Sequence, residues 1–192
     1  MLFDLESKTQ TTPNISDLTH IPNFITPEQE QFLISQIDQN PWFLDLKRRV
    51  QHYGYKYDYK ARKIDEKMKI GSILNWLLNK EIFNHQIFEE NNFDQVIINE
   101  YQQGQGISAH IDCVPCFTNI ICSVSLLSSC EMVFENVKTK EKQSIILTPR
   151  SLLIMKDEAR YNWTHCIPAR KSNVKERRVS ITFRKVILNK PY

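Results

Sequence analysis

Arg177-Arg178-Val179-Ser180-Ile181-Thr182-Phe183-Arg184 alternates strictly between polar and apolar residues. In an extended chain, Arg178, Ser180, Thr182 and Arg184 share one face, and Val179, Ile181 and Phe183 share the other. A strand of this kind buries its apolar face in a core. Its other face, two arginines with hydroxyls between them, lines either a solvated surface or an anion pocket, since an arginine fork can hold a carboxylate by two parallel hydrogen bonds. Working back from this strand, short apolar or alternating stretches recur at 95–101, 119–127, 131–136, 143–148, 151–156, 160–165 and 178–187, separated by polar or turn-forming residues. The pattern predicts a mainly β chain, a sandwich or small barrel, with flanking helices supplied by the N-terminal half.

The N-terminal half carries two helical patterns. Thr26-Pro27-Glu28-Gln29 reads as a helix start, with Thr26 as N-cap and Gln29 able to reach back; Phe32, Leu33, Gln36 and Ile37 follow at helical spacing to about Gln39, where Asn40-Pro41 stops the helix. Ser72 to about Phe83, with Ile73, Trp76, Leu77 and Lys80, predicts a second amphipathic helix. Residues 1–19 are polar and are expected to form a loose extension. No repeat or linker interrupts the chain, and 1–192 is read as a single domain.

Composition removes several classes of function. A chain of 192 residues, 41% apolar and 24% charged, is long enough to bury about 70% of its unfolded surface and to build an enzyme core. Its four glycines leave little for a dinucleotide fingerprint or a phosphate loop, and Gly104-Gln105-Gly106 runs into Ile107 rather than a helix start. No apolar run approaches the ~20 residues of a bilayer span, and the first residues lack a signal peptide's basic and apolar regions, so the expectation is a cytoplasmic protein, or a nuclear one in a eukaryote, without membrane contact. Five cysteines, at 113, 116, 122, 130 and 166, are expected to be reduced thiols. Cys113-Val-Pro-Cys116 lacks a second soft-ligand pair with which to bind zinc.

The net charge of +3 is unevenly distributed. Residues 47–69 carry nine Lys/Arg against three acids and 170–190 carry eight against one, net +6 and +7, so the remaining residues carry −10. Two basic segments that meet in space form a patch suited to a phosphate backbone; apart, they are ordinary solvated surface. The first also interleaves cations with Tyr53, Tyr55, Tyr57 and Tyr59 at period two. That ladder on one strand face suits either a core or base stacking with phosphate contact.

The chemistry-bearing residues lie in the β half. His110-Ile111-Asp112 puts an imidazole and a carboxylate on one side of an extended segment, and His165, 55 residues on, supplies a third ligand. Two His and one carboxylate leave three octahedral positions open, as a non-haem Fe(II) needs to activate O₂; the same ligands also fit Zn(II). Ile97, Asn99 and Tyr101 share one face of the strand just upstream, aiming an amide and a phenol into the same interior.

These motifs, in their order, resemble a known family. Asn99-Glu100-Tyr101, Gly104, His110-Ile111-Asp112, Ser151-Leu152-Leu153, Arg160-Tyr161, His165 and Arg178-x₅-Arg184 are similar to the motifs of the AlkB family of Fe(II)- and 2-oxoglutarate-dependent oxygenases, over about Pro22 to Val186. Gln51-His52-Tyr53-Gly54-Tyr55 and the Ser-Leu-Leu-Ser-Ser run at 125–129 look most like the AlkB homologues that hydroxylate modified wobble uridines in tRNA. The resemblance implies a double-stranded β-helix, a cupin-like jelly roll, with N-terminal helices packed on it. It implies Fe(II) held by His110, Asp112 and His165, with 2-oxoglutarate and O₂ as cosubstrates. Arg178 pairs with the distal carboxylate of 2-oxoglutarate, while Asn99 and Tyr101 bond the same molecule. Ser180 stands where some relatives have an Asn that also touches it, and Cys166 where relatives commonly have Gly. Tyr53, Tyr55 and Arg184 become candidates for substrate contact. The implied partner is nucleic acid, RNA or tRNA ahead of alkylated DNA, with a modified base hydroxylated or demethylated. The same iron chemistry on a protein or small molecule, or a non-catalytic jelly-roll module, are the alternatives.

Overall fold

The structure, a computed structural model, describes residues 13–44, 46–58, 61, 63–64 and 66–188. Two antiparallel sheets face each other across an interior. The larger contains β1 (Leu18–Ile21), β2 (Val50–Tyr53), β3 (Gln95–Tyr101), β5 (Phe117–Leu126), β8 (Leu152–Lys156) and β10 (Arg178–Val186), in the order β1-β8-β5-β10-β3-β2. The smaller has the order β4-β9-β6-β7, from β4 (Ile107–His110), β6 (Cys130–Asn136), β7 (Lys142–Leu147) and β9 (Trp163–Ile167). No helix in the described residues is long and apolar enough to cross a membrane.

Period-two alternation sorts the larger sheet's side chains onto two faces. Val96, Ile98, Val179, Ile181 and Phe183 point outward and are covered by Leu33 and Ile37 of helix α1 (Pro27–Asp38) together with Leu77, Phe83, Ile87 and Phe93. Each such side chain removed from water contributes ~1.5–3 kcal/mol. The opposite face joins the smaller sheet in a second core containing Tyr101, Ile121, Leu153, Phe134, Leu147 and Ile167. Because both faces are covered, all seven residues of β3 are buried.

The α1 start is as expected: Thr26 accepts from the Gln29 backbone N–H while the Gln29 side chain accepts from the Thr26 N–H, and Pro27 opens the first turn. The second expected helix is not formed. Between Ser72 and Phe83 there is one 3₁₀ turn, Asn75–Leu78; extended Asn79 ends it, with Oδ1 accepting from the Glu81 N–H in a local turn that competes with helix. The helix of this region instead follows as α2 (Gln86–Asn91), capped by His85 Nδ1 and terminated by Asn92 in the left-handed region. The stretch 160–165 is also divided, into α3 (Asp157–Tyr161) and β9. Residues 13–19 are not loose, since Ile15 is buried in the inter-sheet core and β1 pairs with β8; residues 1–12 lie outside the described residues.

The tyrosine ladder is corrected at Gly54, whose φ of 77° ends β2; a Cβ there would lie 1.8 Å from the Asp94 carbonyl oxygen. Alternation stops at that residue, so Tyr53 and Tyr55 enter different environments. Tyr59 lies outside the described residues. The expectation of five reduced thiols is corrected as well. A turn closed by Cys116 N–H to Cys113 C=O sets the two Cα atoms 5.2 Å apart, and these residues form a disulfide, while Cys122, Cys130 and Cys166 are free.

Candidate active site

His110 and His165 are directly opposed partners in the β4–β9 pair, and their ring centroids lie 4.4 Å apart. Asp112 follows two residues after His110, and its Oδ2 lies 3.7 Å from His165 Nε2. One ligand atom from each of the three falls within 4.8 Å of the others, so a single cation can touch all three. His110 Nδ1 donates to the Ser108 carbonyl oxygen at 2.8 Å, which orients the ring and leaves Nε2 for a metal.

The protonation states suit coordination. Burial opposes the Asp112 carboxylate, but Arg184, His165 and His110 reverse that effect and hold it well below the usual carboxylate range. Arg184 Nη2 is 2.7 Å from Oδ1, so Oδ2 is the oxygen turned toward His165. Burial, with His110 beside it, pulls the His165 imidazole down to about 3, keeping it neutral, and no proton has to leave before a metal binds. Arg160 of α3 donates from Nη1 to the Asp112 carbonyl at 2.9 Å and from Nη2 to that of Cys113 at 3.2 Å, pinning the backbone that presents the carboxylate.

These ligands open onto a cavity of about 470 Å³ between the sheets, which Asn99, Tyr101, Ser180 and Arg178 also line. Arg178 is 1% exposed; Nη2 donates to Ser125 Oγ at 2.9 Å, while Nε and Nη1 are buried without a partner. No carboxylate among the described residues pairs with it, and the Tyr101 ring lies 5.3 Å from its guanidinium carbon. An interior cation without a counter-charge is destabilising by several kcal/mol. Its unpartnered N–H groups, together with the second N–H of Nη2, suit the carboxylate of an anionic ligand that could also reach the metal.

The expected site residues therefore divide into groups. His110, Asp112, His165, Asn99, Tyr101, Arg178 and Ser180 converge on one cavity. Arg184 lines it too, but its closest partner is Asp112. Tyr53 and Tyr55 do not line it. Tyr53 packs edge-on against Trp76, donates to Gln51 Oε1 at 3.0 Å and has its hydroxyl pushed up to about 12 by burial. Tyr55 is buried with Cys113, Cys116, Phe117 and Val186. Tyr57 is the ladder residue in the cavity wall, among the described ones. Sequence reasoning missed the site roles of Arg160 and Ser125, defined by contacts 48 and 53 residues away.

A jelly roll with two imidazoles and a carboxylate on one cavity, and a buried unpartnered guanidinium on the same cavity, has the build of a metal-dependent oxygenase that takes an anionic cosubstrate. The 2OG-Fe(II) oxygenase superfamily matches residues 17–184. The chain belongs to that superfamily, in its AlkB family, and is a 2-oxoglutarate-dependent dioxygenase using Fe(II), 2-oxoglutarate and O₂. It is 37% identical to uncharacterized protein L905 of Acanthamoeba polyphaga mimivirus, over 95% of this chain and 91% of that one. It is 35% identical to the alkylated DNA repair protein ALKBH8 homolog of Arabidopsis thaliana, over 90% of this chain and 59% of the relative. A tRNA (carboxymethyluridine(34)-5-O)-methyltransferase of Xenopus tropicalis is 32% identical over 80% of this chain, which spans only 25% of that relative. The fold superposes on OsALKBH1 with a TM-score of 0.72 at 14% identity, covering 92% of this chain and 99% of that one.

Proposed function

We propose that the chain oxidises a modified nucleobase, with RNA and tRNA favoured over alkylated DNA, and that His110, Asp112 and His165 hold Fe(II) while Arg178, Asn99, Tyr101 and Ser180 receive 2-oxoglutarate. The observation that carries the cosubstrate assignment is the pair of partnerless Arg178 nitrogens on the cavity shared with the three ligands. Support for nucleic acid comes from relatives named for alkylated DNA repair and tRNA modification. It also comes from the meeting of the two basic segments: Arg49 and Arg177 share Glu100, and Lys47 and Arg48 line the same cavity as Arg178 and Arg184.

Bound Fe(II) with 2-oxoglutarate and O₂ supplies two-electron oxidation of a C–H bond, coupled to decarboxylation of the cosubstrate to succinate. The chain's own residues do the placing. Ser108 fixes the His110 ring, Arg184 restricts Asp112 to one free oxygen, and Ile97, Met132, Leu153 and Met155 present an apolar wall that excludes water. An N-methyl base treated this way loses formaldehyde, whereas a carbon-bound substituent keeps its new hydroxyl.

The test is succinate formation with Fe(II) and 2-oxoglutarate, with and without tRNA and alkylated oligonucleotides, joined to mass spectrometry of the treated nucleosides. Stimulation by tRNA with a new hydroxylated nucleoside is expected. Turnover that no nucleic acid stimulates at any salt concentration overturns the nucleic-acid reading.

A further inference from the structure

We propose that Arg48, which lies outside the core strands, is a positioning residue for the cosubstrate: it locks the Asn99 side-chain amide so that Nδ2 faces the cavity. This rests on the reading that 2-oxoglutarate occupies the cavity beside Arg178. Arg48 Nε donates to Asn99 Oδ1 at 2.8 Å. A guanidinium carries donors and no acceptor, so the amide can meet it only through its oxygen. Asn99 is 6% exposed and lines the cavity, and the Arg48 bond occupies its Oδ1. The amide thus offers a donor to the ligand. With Arg48 gone the amide is free to turn over and present its oxygen to an anion, which repels it.

The surroundings explain how an arm residue holds this position. Arg48 and Arg49 straddle β3 where Asn99 and Glu100 point to opposite faces. Arg49 grips both carboxylate oxygens of Glu100 on the outer side while Arg48 takes Asn99 on the inner side. Glu100 is also held by Arg177, which reaches Asp38 at the end of α1. The Arg48 guanidinium carbon lies 5.6 Å from the centre of the Tyr101 ring, the same ring that Arg178 approaches. Cosubstrate affinity is therefore tied to the basic arm at residues 46–49 that leads into β2.

The experiment is calorimetric titration of 2-oxoglutarate into the anaerobic Mn(II)-loaded full chain, a binding readout independent of turnover. Arg48→Ala is expected to weaken binding about ten-fold, and Arg48→Lys, which keeps a donor for Oδ1, to recover most of that loss. In an Asn99→Ala background, Arg48→Ala is expected to cause no further loss, because its effect passes through the amide. Asn99→Asp keeps the Arg48 pair, and hence the local fold, but removes the donor; it is expected to bind more than ten-fold more weakly than the parent. Parental affinity in Arg48→Ala or in Asn99→Asp overturns the proposal, and so do independent, multiplying losses from Arg48→Ala and Asn99→Ala. An Arg178→Ala chain that still binds 2-oxoglutarate normally overturns the underlying reading instead, whatever Arg48 does.

Discussion

Arg178 is a charge folded into an interior without its counter-charge, and that imbalance separates what the residue does for the fold from what it does for the ligand. Met in its place fills similar volume without a buried cation. The ligand-free Arg178→Met chain is therefore expected to gain about 1 kcal/mol, a rise of about 2–4 °C in Tm, while losing calorimetrically detectable 2-oxoglutarate binding. A variant that melts lower and still binds would show Arg178 to be scaffold. Glu100 is the converse case, a buried carboxylate with more positive partners than it needs. Burial alone would raise its pKa, but hydrogen bonds from Arg49 and Arg177 outweigh that effect and hold it below the ordinary value. A carboxyl lowered on folding stabilises the native state above its unfolded pKa and loses that contribution as pH falls through its folded pKa. Glu100→Gln should therefore lower stability by about 3 kcal/mol in urea unfolding at pH 7, with the gap to the parent narrowing below about pH 4. A gap that stays constant through acid pH would mean that the ion pairs contribute nothing.

Elements were legible in the sequence where local pattern and tertiary demand agree. The box around Thr26 and Gln29 encodes the α1 start in four residues, and the alternation of β3 and β10 encodes which side chains line the cavity. Alternation puts Asn99 and Arg178 on the interior face, while it is the order of motifs resembling the AlkB family that joins them to His110, Asp112 and His165, which share their cavity. The reading failed where a distant backbone decides the local one. Gly54 adopts its positive φ against the Asp94 carbonyl, a contact forty residues off, and this diverts the tyrosines from one face into three environments. Gly54→Ala should consequently destabilise the chain by more than about 3 kcal/mol in the same urea assay, far beyond the ~1 kcal/mol of an ordinary left-handed glycine. A loss no larger than that ordinary value would show that the β2 end can move away from Asp94. The helix expected at 72–83 failed for a related reason: its apolar residues are needed by the core above the sheet, but Asn79 satisfies its neighbours' backbone groups in a turn.

At the scale of the molecule, the two sheets contribute different halves of the site. His110 and His165 belong to β4 and β9 of the smaller sheet, whereas Asn99, Tyr101, Ser180 and Arg178 belong to β3 and β10 of the larger. Protein contact between the halves passes through Arg184 of β10, which reaches Asp112, and through the apolar cluster deeper in the interior. A metal alone engages only the β4–β9 side, while a ligand spanning from the metal to Arg178 ties the sheets together. Hydrogen exchange should separate these steps. Mn(II) alone is expected to slow exchange in 107–112 and 163–167, and adding 2-oxoglutarate should extend protection to 95–101 and 178–184, across strands the metal does not touch. The same additions should raise unfolding free energy in proportion to occupancy, by about 2.7 kcal/mol at a hundred times the dissociation constant. If 2-oxoglutarate protects only the smaller sheet, it does not reach Arg178, and the cavity is not bridged in the way its charges suggest.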